Sequence, residues 1–233
     1  MSARLKPELE LEQQLELSID TCSDNATVAL SREGSLLVEL TWHIGREHSR
    51  QLLPAIDGLL SRLSASKDDL VALFVAKGPG GYAGIRAGVS TAKGLAYGLE
   101  LPLVGIGRLE VEAYAWRAVG GAIVAVHRAG RRDGAWAAYE GAPEWKELSA
   151  PRLSPLKEIA SLLPAGSLVT GDLEEEAVAE LSALGHRAVT GAATIRHAAN
   201  LAELGWQRLQ AGDTDDPKSL VPLYLREPAI GPQ

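Results

Sequence analysis

Apolar residues recur at every second position in Leu15-Glu16-Leu17-Ser18-Ile19, the period of a strand with two unlike faces. Asp20-Thr21-Cys22-Ser23-Asp24-Asn25 is turn material, and Ala26-Thr27-Val28-Ala29-Leu30 predicts a second strand. Arg32-Glu33-Gly34-Ser35 turns the chain again before a third strand over 36–42. Short turns between three strands predict an antiparallel meander. The period then lengthens. Leu52, Ile56, Leu59, Leu60 and Leu63 recur at helical spacing within 47–63. Pro54 lies in this stretch, so the helix either starts near it or is kinked there. Ser66 or Asp68 ends the linker that follows, and residues 70–76 form a nearly continuous apolar run, the pattern of a strand buried on both faces. Gly78-Pro79-Gly80-Gly81 comes next, then a Gly- and Ala-rich helix over 83–99 and a strand over 101–106. The predicted order is β-β-β-α-β-α-β.

The second half repeats that order without clear residue identity. After a connecting helix over 109–119, strands are predicted over 122–126, 135–139 and 144–148, a helix over 156–163 and a strand over 167–170. A helix over 174–184, a strand over 187–189 and a terminal helix over 195–209 complete it. A duplicated fold is the simplest reading. The expected divisions are an N-terminal extension (1–13), a first lobe (14–107), a second lobe (108–193), a helix packing back on the first lobe (194–211) and a tail (212–233).

Composition narrows the function classes. The chain has 233 residues, one Cys, and 30 acidic against 23 basic side chains, for a net charge of −7. One Cys excludes an internal disulfide framework and a metal site of several thiolates. No run reaches about 18 apolar residues, so no membrane-spanning helix is predicted. The N-terminus does not read as a secretory signal, and a cytoplasmic location is expected. An acidic balance argues against gripping nucleic acid directly, because that affinity comes largely from basic patches.

Several features are candidates for chemistry. Asp20, at a strand end, could orient Mg²⁺ through waters; the plainer reading is that Asp20 and Ser23 brace their own turn. Gly78-Pro79-Gly80-Gly81-Tyr82-Ala83-Gly84-Ile85-Arg86, between a strand and a helix, has the physical makings of an anion cradle. It is neither GxGxxG nor a Walker A loop, and close strand–helix packing explains the same residues without a ligand. Gly84, Ala87, Gly88, Thr91, Ala92 and Gly94 make the second helix small-sided, suited to close approach by another helix of this chain or of a second protein. His43 and His48 lack a third metal ligand at convincing spacing, and no metal site is expected. His127, His186 and His197 are scattered. Cys22 reads as buried packing. Arg128, Arg131 and Arg132 form a compact basic cluster, read as the decoration of a hairpin turn with phosphate contact as the alternative.

These residues resemble the TsaB (YeaZ) family. Ile19-Asp20-Thr21-Cys22 matches its opening strand and Asp-Thr-Ser, and His48-Ser49-Arg50-Gln51-Leu52-Leu53-Pro54 its His-Ser-x-x-Leu-Leu-Pro. Gly78-Pro79-Gly80-Gly81-Tyr82-Ala83-Gly84-Ile85-Arg86-Ala87-Gly88 and Ala92-Lys93-Gly94-Leu95-Ala96 match its most specific stretch, with Gly81 and Ala83 in place of Ser and Thr. Pro222-Leu223-Tyr224-Leu225-Arg226 matches its C-terminal signature. The segment from Val126 to Trp136 is blurred. The resemblance implies an α/β, actin-like ATPase (ASKHA) fold of two ribonuclease-H-like lobes, the second reduced. It implies a non-catalytic accessory subunit, with no cofactor, that activates the related catalytic subunit TsaD. That subunit transfers a threonylcarbamoyl group to N6 of adenosine 37 in tRNAs reading codons that begin with A. TsaD holds its metal through His-x-x-x-His; the matching positions here fall near Arg108 and Glu112, and Arg offers no lone pair to a metal. TsaC supplies the threonylcarbamoyl adenylate, TsaE is an ATPase partner met through the complex, and tRNA is contacted only indirectly. The resemblance places the partner face on the two helices of the first lobe, with His48, Leu52, Ile56, Ala87, Thr91 and Leu95 as candidates. A homodimer through the same face is an expected alternative. A free-standing phosphotransferase resting on Asp20 and the glycine loop is the competing function, and a zinc protease the weakest.

Overall fold

The computed structural model describes residues 14–45 and 47–225. The extension read over 1–13 and the signature residue Arg226 lie outside them. The chain divides into two compact units. One holds residues up to Arg108 together with His197–Leu223; the other holds Leu109–Arg196 and the last described residues.

In the first unit the strands are β1 (Leu15–Asp20), β2 (Asn25–Arg32), β3 (Ser35–His43), β4 (Leu70–Ala76) and β5 (Leu103–Ile106), in sheet order β3-β2-β1-β4-β5. β1, β2 and β3 pair antiparallel, as the short turns predict; β4 pairs parallel with β1, and β5 parallel with β4. The helices are α1 (His48–Arg62) and α2 (Tyr82–Leu99), with α6 (Ala198–Gln210) returning from late in the chain. Pro54 sits inside α1, past its first turn, where its missing N–H leaves one intrahelical bond unmade.

β1 is buried along its whole length although its sequence alternates. Ile19 faces α2, where its Cγ2 lies 3.5 Å from an ideal Cβ at Gly88. Glu16 points the other way, under α6. Its carboxylate accepts hydrogen bonds from Ser31 Oγ (2.6 Å), Glu33 N (2.7 Å) and Gly34 N (3.3 Å), so it ties down the β2–β3 turn. Burial raises the Glu16 pKa above the ordinary carboxylate range, against the lowering by its hydrogen bonds. α6 approaches the sheet closely at Gly205, where a Cβ would come within 2.2 Å of the Phe74 ring. Glu39 on β3 holds the start of α6: it accepts from Ala199 N at 3.0 Å and lies 2.7 Å from His197 Nδ1. A segment after α6 then covers the outer edge of β5. Asp215 exchanges bonds with Leu103 O (2.8 Å) and Gly105 N (2.7 Å), and Leu223 N donates to Lys77 O (2.6 Å).

The second unit repeats the topology. Its strands β6 (Ala122–Arg128), β7 (Asp133–Glu140), β8 (Lys146–Pro155), β9 (Leu168–Gly171) and β10 (Arg187–Ala188) have sheet order β10-β9-β6-β7-β8, the same arrangement read from the other edge. Helices α4 (Leu156–Leu162) and α5 (Glu175–Ala183) cover one face, packing Ile159 and Leu181 over Val124, Trp136 and Val169. α3 (Arg108–Tyr114) covers the other through Leu109 and Ala113. α4 and α5 are shorter than α1 and α2, so this unit is the reduced one. The connecting helix read over 109–119 ends at Tyr114, and the strand read over 144–148 runs on to Pro155. β8 is an edge strand, where Pro151 costs no interior ladder bond. Trp136 Nε1 donates to Ser154 Oγ at 3.0 Å, and Arg152 lies over the Trp136 ring, 4.1 Å from its centroid.

Candidate functional site

The sequence features of the first unit converge on one junction, where the turn after β1 meets the start of α2. Asp20 is fully buried, and its Oδ1 accepts from Cys22 N at 2.8 Å. Ser23 Oγ donates to Asn25 O (2.9 Å) and accepts from Asn25 N (3.3 Å). Both side chains therefore brace their own turn. Cys22 is buried, with Sγ 3.4 Å from Ala76 O.

The glycine loop is pressed against this turn. Gly81 N donates to Cys22 O at 3.1 Å, and Thr21 Oγ1 donates to Gly84 O at 2.7 Å. A Cβ at Gly80 would lie 2.0 Å from Cys22 O, one at Gly84 2.2 Å from Thr21 O, and one at Gly88 2.3 Å from Thr21 Oγ1. These distances are impossible for real side chains, so close packing requires the glycines. Gly78 has a further reason: its φ of +104° is open to glycine and strained for other residues.

The small residues of α2 split between two faces. Gly84, Gly88 and Ala92 are buried toward the sheet, while Ala87 and Thr91 are half-buried and Gly94 is exposed. Nothing lies within 4 Å of a Cβ built at Gly94 or at Gly98. Close approach within the chain thus explains the inner glycines and leaves the outer ones unexplained. Leu95 is half-buried on α2, and Leu53 on α1 is 53% exposed. Of the other partner-face candidates, Leu52, Ile56 and His48 are all buried. These three stand behind the outer surface, in the core of their own unit.

His48 lies over Gly84, where an ideal Cβ would be 2.9 Å from its Cε1, and its Nδ1 has no hydrogen-bond partner. Burial lowers the His48 pKa from its ordinary 6.5, with a smaller opposing pull from Asp24. The sign of the linkage follows. As pH falls below about 6.5 the unfolded chain takes up a proton that the folded chain resists, so this residue's contribution to stability is full above that pH and falls below it. His48→Gln is expected to flatten the decline of thermal stability between pH 7 and pH 5 relative to the parent chain. Parallel melting curves for the two proteins over that range would contradict the assignment.

The remaining candidates separate. His43 Nδ1 lies 3.4 Å from Asn25 Oδ1 on the surface. His127 pairs with Asp172 (2.5 Å), Arg128 with Glu174, and His186 Nε2 lies 3.1 Å from Ala160 O. Arg108 is fully buried and its backbone N–H donates to Gly78 O at 2.7 Å; Glu112 is buried too. Among the described residues, no group of three or more His, Cys, Asp or Glu is placed to hold a metal ion. No helix among them is long and apolar enough to cross a membrane.

Comparison with known proteins places this arrangement. A profile of the TsaD family, tRNA N6-adenosine threonylcarbamoyltransferase, matches residues 43–146. The tRNA threonylcarbamoyladenosine biosynthesis protein TsaB of Bacillus subtilis (strain 168) is 38% identical over 97 residues, 42% of each chain. Its counterpart from Escherichia coli (strain K12) is 35% identical over 126 residues, 53% of this chain and 54% of that protein. The chain thus spans about half the length of the curated relatives it matches. An uncharacterised protein of Mycobacterium tuberculosis (strain H37Rv) is 28% identical over 93% of both chains. Among solved structures, YeaZ from Pseudomonas aeruginosa superposes with a TM-score of 0.77 at 23% identity, covering 91% of this chain and 100% of that one. A 2-hydroxyisocaproyl-CoA dehydratase activator from Clostridium difficile shares the fold at 9% identity, with a TM-score of 0.51 over 90% of this chain and 99% of that one. The duplicated sheets are those of the actin-like fold, two ribonuclease-H-like lobes with the second reduced. The Asp20-Thr21-Cys22 turn, the glycine loop and this fold together make the chain similar to the TsaB/YeaZ proteins.

Proposed function

We propose that the protein is a non-catalytic accessory subunit that binds and activates a TsaD-type catalytic subunit in the cytoplasm. Its reaction is the transfer of a threonylcarbamoyl group to N6 of adenosine 37 in tRNAs reading codons that begin with A. The observation that carries the reading is the two-sided construction of α2. The inner glycines lock the helix onto the β1 turn, while Ala87, Thr91, Gly94 and Gly98 leave a low, close-approach surface outside. A glycine inside a helix costs about 0.5–1 kcal/mol against alanine, and two outward glycines without an internal contact favour a helix-on-helix partner. Ala87, Thr91 and Leu95, joined by exposed Leu53, form the face; His48, Leu52 and Ile56 set its position from inside.

TsaE joins through the complex, and the net charge of −7 leaves tRNA contact to the catalytic partner. The same face closes a two-fold homodimer when the partner is absent, since an isologous contact needs one self-complementary patch. Asp20 spends one carboxylate oxygen on its own turn, which favours the accessory role over a free-standing phosphotransferase. Coexpression with the catalytic subunit followed by size exclusion tests the reading. Comigration is expected; separate elution, even with nucleotide and TsaE present, overturns it.

A further inference from the structure

Among the described residues the two sheets have four edges, and three of them are closed to a further strand. The outer edge of β5 is covered by the segment after α6, where Asp215 bonds to Leu103 O and Gly105 N. β10 is two residues long, and β8 carries Pro151 with Lys146, Glu147 and Arg152. Covering segments, short strands, prolines and charges are the ordinary means of keeping edges from pairing. β3 is different. Its nine residues include no Pro, Lys or Arg, and none of them is buried. Leu36, Leu37 and Leu40 are 46%, 41% and 39% exposed. Its one acidic side chain, Glu39, is spent inside its own unit, on Ala199 N, on His197 and on Thr41, whose Oγ1 donates to it at 3.0 Å. A bulge at Leu37 leaves the strand regular over 38–43. No described residue pairs with its outer side.

Beside this edge runs a groove of about 350 Å³ between β3 and α1, walled by Val38 and Leu40 on the strand and by Pro54, Ala55 and Gly58 on the helix. A Cβ built at Gly58 meets nothing within 4 Å, so the wall is low there. An added strand would take its hydrogen bonds from β3 and lay every second side chain along the groove, so those side chains must be apolar. β3 itself has that pattern, in Val38, Leu40 and Trp42. We infer that the occupant is a second copy of this chain: two β3 strands pair antiparallel about a two-fold axis, joining two five-stranded sheets into one of ten. Charge and the bulge set the register. Centred on Glu39, the pairing would oppose two carboxylates; centred on Val38, it would run into the bulge. Centred on Leu40, it sets Leu40 against its own copy, Val38 against Trp42 and Glu39 against Thr41, with no like charges opposed. β3 lies at the far end of the sheet from β4 and β5, over which α2 packs, so such a pair leaves the outer face of α2 free.

Sedimentation of the full chain carrying Thr91→Arg, which closes the α2 face, tests this. A dimer at micromolar concentration is expected. Adding Leu40→Lys is expected to weaken it by about tenfold or more at an unchanged melting temperature, since a lysine on an open edge strand reaches water in the monomer and blocks pairing. Leu40→Cys is expected to give a disulfide-linked dimer on mild oxidation, because opposed residues of antiparallel strands have Cα atoms about 4.5–5.5 Å apart. Cys22 is fully buried and does not compete, and Leu148→Cys, at a position 44% exposed on β8, is the control expected to stay unlinked. Three results would overturn the assignment: a monomer in the Thr91→Arg chain, a Leu40→Lys dimer as tight as its parent, or equal cross-linking through positions 40 and 148. So would a dimer that forms only once residues 1–13 are removed, which would give the edge to that extension.

Discussion

Gly84→Ala is expected to destabilise the protein severely, although alanine is the better helix former. The added Cβ would lie 2.2 Å from Thr21 O and 2.9 Å from His48 Cε1. The first contact is with backbone, in a turn fixed by Asp20 Oδ1 on Cys22 N and by Thr21 Oγ1 on Gly84 O, so it cannot be relieved by rotating a side chain. Overpacking typically costs about 1–3 kcal/mol, and a rigid obstacle puts this site at the upper end. At roughly 2–4 °C per kcal/mol for a chain of this size, the midpoint of thermal unfolding should fall by about 6–12 °C. Gly94→Ala is the internal control. Nothing lies within 4 Å of its Cβ, so the free chain should gain about 0.5–1 kcal/mol. The melting temperatures of the two variants should therefore move in opposite directions. A Gly84→Ala protein that melts with the parent would show that the close approach of α2 to the β1 turn is not structural.

Ala87→Arg and Thr91→Arg are expected to abolish complex formation while leaving the fold intact. Both positions are half-buried on the outer side of α2, so a long cationic side chain can reach water in the free protein. In a close helix–helix contact the same side chain must be desolvated or must hold the helices apart. A loss of about 3 kcal/mol corresponds to more than a hundredfold in affinity. Size exclusion with the catalytic subunit and a tRNA-modification assay read the outcome, and circular dichroism of each variant checks the fold. Modification at parental levels with both variants would remove this face as the site of contact.

Much of this architecture was legible in the pattern of residues, for reasons that can be named. The meander β1–β3 shows because strand period and turn formers coincide, and α1 because its apolar residues keep helical spacing through Pro54. The burial of β1 on both faces was not legible. Glu16 and Ser18 give it the look of a half-exposed strand, and only the late arrival of α6, with Ser31 and the β2–β3 turn as partners for Glu16, makes a buried carboxylate tolerable. Leu52 and Ile56 illustrate a different limit. A stripe of apolar residues marks the side of a helix that leaves water, and it carries no mark of whether the cover is the same chain or another. Here the cover is the same chain, and the surface left outside is written in small residues instead.

The first unit is closed by a stretch of chain that is made after the body of the second. β1 to β5 are complete by Ile106, yet the helix that covers Glu16 and Phe74 spans Ala198–Gln210, and the segment on the edge of β5 comes later still. Leu109–Arg196, the main body of the second unit, leaves the ribosome in between. Synthesis runs at roughly 5–20 residues per second, so the first sheet waits for several seconds with one face uncovered while the second unit already has its strands and helices. The first lobe is thus started before the second and sealed only after nearly all of the second has been made, and a chain stalled or cut before residue 198 carries an unsealed sheet rather than a finished domain with a missing tail.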